Sequence, residues 1–304
     1  MFKPYIDLLC SKSERSTHEI QEFISQRDAE YWRWADWFAG GLNRYLAANG
    51  MTPEDGVGFY LKEANDILDR TIEFRRTGKY RDCDQKAVFR DHFSKHDKMR
   101  QDMVSLALSQ FLWPQHYRLF TFFVESIRSV AETMKKYVEI GPGHGLYLAT
   151  ALTLAPQLEQ CWGVDISDFS IEMTRQMLSH LGGEAAAKVT LECKDAAEVA
   201  TGNTFDFLTA GEVLSTSENP RAFLEKMVSL LKPSGKMFLS DCANCPDSSI
   251  VYVFHNVQEI RDLLGSCGLV IESERIAPSV GSLSEADHVK HRLSVSYAAL
   301  MRKA

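Results

Sequence analysis

Cysteine is scarce and unpatterned in this chain. Seven residues, an odd number without framework spacing, exclude a disulfide-stapled fold and predict reduced thiols in a cytoplasmic protein. Cys242-x-x-Cys245 is the one close pair. A single pair with no second pair nearby makes a poor zinc site, and no other ligand spacing stands out, so no metal is expected. Long apolar runs are also missing. None approaches the ~18–20 residues of a membrane span, which predicts no membrane segment. The opening Met1-Phe2-Lys3-Pro4-Tyr5 has neither an apolar core nor a small-residue cleavage site, so no signal peptide is expected. A basic excess is absent too: 34 basic residues face 41 acidic ones, for a net charge of −7. The two signs balance over 1–130, so the acidic excess falls wholly on 131–304. An acidic face repels phosphate backbones and argues against a nucleic-acid partner. With 304 residues, 45% of them apolar, the chain can bury one large core and a smaller one.

What is present is concentrated at residues 138–145, Val-Glu-Ile-Gly-Pro-Gly-His-Gly. An apolar run, Tyr137 to Ile140, leads into Gly141, Gly143 and Gly145, and a helix-like segment follows from Leu146 to Leu154. Strand, tight glycine turn and helix form the entry to a nucleotide-type site in an open α/β sheet. Glycine lets the backbone turn sharply and lets a ligand approach with no Cβ in the way. Further strand patterns recur at intervals: Cys161–Asp165, Val189–Cys193, Phe205–Ala210 and Lys236–Ser240. Two more stand at Val270–Glu274 and Leu293–Met301. A helix is expected over Phe223–Leu231 and a Pro/Gly turn over Leu231–Gly235. The alternation predicts an α/β fold with a doubly wound, mostly parallel, seven-stranded sheet. Asp165 closes the second strand, where a carboxylate accepts hydrogen bonds from ribose hydroxyls in folds of this kind. Read alone, the glycines fit a packing turn, Asp165 a surface acid and Lys194-Asp195 a plain turn; the argument is their order along the chain.

The pattern E-x-G-x-G-x-G at Glu139–Gly145, Asp165, the Lys194-Asp195-Ala196 turn and the run LLKPSGKMFLSD ending at Asp241 resemble the class I S-adenosylmethionine-dependent methyltransferases. The resemblance covers residues 130–304. It implies a Rossmann-like sheet with an antiparallel last strand and S-adenosylmethionine as cofactor. It further implies that Asp195 accepts from the adenine amino group and that the Ala196 backbone reads the ring. The cofactor set it implies is Glu139, Gly141, Pro142, Gly143, Gly145, Asp165, Ile166, Asp195, Ala196 and Gly211.

Residues 1–130 carry helical patterns and are expected to form a separate unit, with 131–304 as the cofactor-binding domain. Trp34, Trp37 and Phe38 fall on one helical face, read as core or as a homodimer contact. Gly50 and Thr52-Pro53-Glu54 close one helix and cap the next. The charged stretch 75–100 is read as solvated helix faces and a loop. In the resembling family such a helical region serves as a lid over small-molecule acceptors. Gln110 to Tyr117 combines aromatic rings, a proline bend and a histidine. It is the expected source of acceptor contacts, though Phe111 and Trp113 read equally well as core. A hydroxyl or acidic carbon acceptor needs a base. Candidates are His255, in the segment after the fifth strand, His116 in the lid, and Glu212 after the fourth strand. The expected acceptor-binding set is Trp113, His116, Tyr117, Glu212 and His255. His144 in the glycine loop and His288 and His291 before the last strand stand as further histidines. The histidine that O-methyltransferases place shortly after strand four is missing from Leu214–Pro220.

The expectation is methyl transfer to a small molecule, an amino acid or specialised metabolite, in biosynthesis. Nitrogen, oxygen and carbon acceptors all stay open. So do a peptide or protein substrate, which needs an open groove, and a non-catalytic binding role. A nicotinamide oxidoreductase is disfavoured, because G-x-G-x-x-G needs glycine where Leu146 stands.

Overall fold

The strand-forming runs assemble into one seven-stranded sheet ordered β3-β2-β1-β4-β5-β7-β6. The computed structural model describes residues 1–79, 84–200 and 204–304, apart from the side chains of 14–17. The strands are β1 (Lys136–Ile140), β2 (Gln160–Asp165), β3 (Val189–Cys193), β4 (Phe205–Gly211), β5 (Leu231–Ala243), β6 (Leu269–Pro278) and β7 (Val295–Lys303). The first five pair in parallel. β7 runs antiparallel between β5 and β6. Strand order reverses beside β1, so a crevice opens at the carboxyl ends of β1 and β4, the usual ligand position in such sheets.

Period-two alternation sorts the strand side chains onto two cores. Tyr137, Phe207, Phe238 and Leu300 join one core with α7 (Pro114–Val130), α8 (Leu146–Leu154) and α9 (Asp168–Leu181). Val138, Leu208, Leu239 and Met301 join the other with α10 (Pro220–Leu230) and α11 (Val257–Ser266). The turn expected at Leu231–Gly235 is instead absorbed into β5. The pairing slips between Phe205 and Phe207, and a Cβ on Gly235 would stand 2.8 Å from the Phe205 carbonyl oxygen.

The N-terminal region is helical throughout its described residues: α1 (Lys3–Lys12), α2 (Glu14–Ser25), α3 (Ala29–Ala48), α4 (Pro53–Thr77), α5 (Gln85–Val88) running into a π turn at Phe89–Phe93, and α6 (His96–Leu112). Thr52 and Asp55 cap α4 reciprocally, with Pro53 in its first turn and Gly78 left-handed at its end. Trp34 is buried edge-on against Phe120 and Trp37. Trp34 is therefore core, while Trp37 is only partly buried.

The last helix before residue 130 bears on the expected division there. α7 packs on α8, β5, β6 and β7, so it belongs to the helical layer of the sheet. The break falls at Trp113-Pro114, where Trp113 is extended and Pro114 starts the new helix. A single core then continues from α1 to α9. Within the charged stretch, residues 80–83 lie outside the described residues. His92, expected at a solvated face, is buried.

Candidate active site

The crevice at the strand ends continues under α4 and α6 as one cavity of about 340 Å³. Its cofactor end is built by the turns after β1, β2 and β3. Gly141 and Gly143 adopt φ of 73° and 53°, conformations that an L side chain rarely takes. A Cβ on Gly141 would also stand 2.4 Å from Val213 Cγ1. Gly145 is the left-handed N-cap of α8.

Three carboxylates face this end. Asp165 accepts from the Ser167 amide at 2.9 Å, and Asp195 accepts from the Ala197 amide at 2.8 Å. Glu139 is buried with the Tyr137 hydroxyl at 3.3 Å. No cationic side chain pairs with Glu139 or Asp165 among the described residues. Burial accordingly pushes Glu139 up to about 8 and Asp165 up to about 6, against the amides that hold the latter down. Buried carboxylates of this sort call for donors or positive charge from a ligand.

Of the expected cofactor set, Glu139, Gly141, Gly143, Asp165, Ile166, Asp195, Ala196 and Gly211 line the cavity. Pro142 and Gly145 lie outside the lining and shape the turn. His144 lines it as well, and burial lowers this histidine to about 3.

Beyond β4 the cavity widens under the lid. Glu212 follows the strand with φ of 56°, a left-handed conformation costly for a side chain. Its amide is tied to the Ser240 carbonyl at 2.8 Å. Burial, then Asp241 and Asp247, push its carboxyl group up to about 7. His116 stands opposite, its Nε2 3.9 Å from Glu212 Oε1, and burial lowers it to about 4. Trp113 lies in ring contact with His116, and its Nε1 donates to the Tyr60 hydroxyl at 2.6 Å. Asp241 accepts from the amides of Ser215 at 3.0 Å and Cys242 at 2.7 Å. Cys242 and Cys245 also line the wall, and no group of side chains suited to a metal stands among the described residues.

Two expected acceptor residues are not brought here. His255 is exposed and outside the cavity lining. Its amide donates to Glu259 and its carbonyl accepts from Asn244, which makes it part of the lead-in to α11. Tyr117 packs in the lid core against Tyr31 and Phe111. His288 is buried within α12 (Glu285–His291), where Nε2 accepts from the Val280 amide.

The lid adds residues that sequence reading passed over. Glu63 of α4 is 7% exposed and accepts from Arg70 at 2.7 Å and Gln101 at 2.9 Å. Lys98 bridges Glu63 and Asp102 at 3.2 and 3.0 Å, and His92 Nε2 meets Asp102 at 3.0 Å. Arg70 also reaches Asp247 at 3.7 Å. This charge network joins the lid to the loop after β5. Its signal in the sequence was Lys98 and Asp102 at i, i+4 spacing beside buried apolar positions.

Residues 138–237 match the family described as a methyltransferase domain. No curated protein matches the chain in sequence. The fold is similar to that of the mitomycin 7-O-methyltransferase MmcR, with a TM-score of 0.53, 15% identity, and coverage of 78% of this chain and 67% of that one. It is also similar to the N-methyltransferase NodS from Bradyrhizobium japonicum WM9 in complex with S-adenosyl-L-homocysteine, with a TM-score of 0.52, 16% identity, and coverage of 68% and 97%. At these identities the likeness is one of fold. The chain thus contains a methyltransferase domain at residues 138–237, set in a seven-stranded sheet of the methyltransferase fold with a helical region before it.

Proposed function

We propose that the chain transfers a methyl group from S-adenosylmethionine to a small-molecule acceptor enclosed beneath its N-terminal helices. The observation that carries this reading is one continuous cavity. It runs from Glu139, Asp165 and Asp195 past Glu212 to Trp113 and His116. When bound, the donor supplies a methyl group already activated by its sulfonium charge. The residues fit it: buried carboxylates without cations would take its hydroxyls, amine and positive charge, and left-handed glycines leave room for its approach. Asp165 would hold the ribose, Asp195 and Ala196 the adenine, and Glu139 the donor's other end.

The lid's contribution is physical. Helices α4 and α6 cover the acceptor end, exclude water and fix the angle of approach, which is most of what methyl transfer needs from a protein. A cavity roofed by α4 and α6 favours a small molecule over a peptide. The reading carries with it a cytoplasmic enzyme of small-molecule biosynthesis, with the acidic balance set against nucleic-acid partners. No helix among the described residues is long and apolar enough to cross a membrane.

A thermal melt tests the reading. Excess S-adenosylmethionine or S-adenosylhomocysteine should raise the midpoint, and NADH should not, because only a ligand of the folded state stabilises it. Stabilisation by NADH alone would replace this reading with that of an oxidoreductase.

A further inference from the structure

Two hydrogen-bond acceptors face each other in the cavity with no donor between them. Ser109 Oγ lies 2.8 Å from His116 Nδ1 and 2.8 Å from the Leu106 carbonyl. When the hydroxyl donates its one proton to the carbonyl, it accepts from Nδ1–H, which leaves the lone pair on Nε2. The His116 side chain is nine-tenths buried, at 10% exposure. Its Nε2 makes no hydrogen bond among the described residues, since 3.9 Å to Glu212 is too long for one. The Glu212 carboxyl group, 37% exposed, likewise has no hydrogen-bond donor. Its left-handed backbone, fixed by the amide bond to Ser240, holds it at the end of β4.

An alcohol has a single O–H and can satisfy one of these acceptors. A protonated amino group has N–H bonds for both. Charge selects the same class. The acceptor end is lined by Glu63, Asp102, Glu212, Asp241 and Asp247. Arg70 and Lys98 offset Glu63, Asp102 and Asp247, and backbone amides hold Asp241. Glu212 has no lysine or arginine partner among the described residues. The one lysine or arginine among the lining residues, Lys194, stands beside Asp195 at the cofactor end and pairs with Glu192.

We infer that Glu212 and His116 form a cradle for a cationic amino nitrogen, so that the acceptor is an amine. The inference rests on the methyl-transfer reading and narrows its acceptor. The ammonium donates one N–H to Glu212 and one to His116 Nε2. The proton it must lose passes to the Glu212 carboxylate, giving a carboxylic acid and a neutral amine with its lone pair free. Charge balances, the ion pair becoming two neutral groups. His116 orients the nitrogen through the bond that remains.

The test uses matched probes on the full chain saturated with S-adenosylhomocysteine: phenethylamine, 2-phenylethanol and phenylacetate, then tryptamine, indole-3-ethanol and indole-3-acetate. Ligand-observed NMR and calorimetry read their binding. The amines should bind at least tenfold tighter than the alcohols of the same frame, with the carboxylates weakest. Glu212→Gln should abolish that preference while S-adenosylhomocysteine affinity stays within about threefold. His116→Asn, a second variant, should cut it several-fold. Equal binding of alcohols, tighter binding of carboxylates, absence of amine binding, or a preference that survives in folded Glu212→Gln would each overturn the inference. Failure of S-adenosylhomocysteine to bind wild type is a separate result, and it would remove the methyl-transfer reading itself.

Discussion

His116 is positioned by Ser109: the imidazole Nδ1 sits 2.8 Å from a hydroxyl that also lies 2.8 Å from the Leu106 carbonyl. Donation to that carbonyl puts the ring hydrogen on Nδ1 and leaves Nε2 facing the cavity as an acceptor. Long-range proton–nitrogen NMR on nitrogen-labelled protein should show His116 protonated on Nδ1 at neutral pH. Ser109→Ala should let both tautomers appear. It should lower kcat about fivefold to tenfold, with KM changed less, and shift the acid limb of the rate profile. An unchanged tautomer in the variant would contradict the assignment.

Three cavity carboxyl groups should make the unliganded protein less stable as pH rises. Burial raises Glu139 to about 8 and Asp165 to about 6, and Glu212, with its side chain 37% exposed, moves in the same direction but counts for less. The folded chain therefore keeps protons that the unfolded chain gives up nearer pH 4. Their contribution to stability is fully present below that point and is lost as pH climbs through the raised values. The groups bearing on them are Tyr137 and Asp165 at Glu139, and His116, Tyr147, Asp241, Asp247 and Cys245 at Glu212. Unfolding midpoints should fall by several degrees between pH 5.5 and 8.5. Saturating S-adenosylmethionine should lessen the fall. A midpoint that rises over this range would reject the assigned shifts.

Glu63→Ala should destabilise the lid. The variant removes the buried partner that Arg70 and Lys98 share, leaving Asp247 to the first and Asp102 to the second. Breaking a buried network of this kind costs about 3 kcal/mol, readable as a lower urea midpoint at constant slope. Protease sensitivity should increase first in α4 to α6. A neutral result would mean that the network is solvated.

Gly141→Ala tests the first turn directly. The residue lies at φ of 73° and its new methyl would meet Val213 Cγ1 at 2.4 Å. Together these should cost about 1–3 kcal/mol of stability and weaken S-adenosylmethionine binding. Gly58→Ala, in α4 with open space around its Cβ position, should be harmless by comparison.

The cofactor end was legible because its signals are local. Strand, glycine turn and acid follow one another within Tyr137–Gly145, Cys161–Asp165 and Val189–Ala196, and each strand carries its acid to the same edge of the sheet. The acceptor end was legible at Glu212, next to such a strand, and at Trp113 and His116, beside the proline bend. His255 looked equivalent in sequence, yet its side chain is exposed while its backbone serves the start of α11. Tyr117 lies one residue after His116, and the helical turn between them sends it into the lid core. Glu63 and Asp102 drew no notice and His92 fell in a stretch read as solvated, because their partners come from separate helices. Only tertiary packing brings these together. The contacts of α7 with the sheet were hidden for a related reason. The periodicity of α7 shows that it has a buried face without showing that the sheet covers it.

The central claim is that one buried cavity binds S-adenosylmethionine through Asp165. Calorimetric titration of the wild-type chain beside Asp165→Ala tests it most directly. The account predicts micromolar binding by wild type and a loss of at least tenfold in the variant, with both proteins folded by circular dichroism. A folded wild type that takes up no S-adenosylmethionine, or a variant that binds it equally well, would contradict the account.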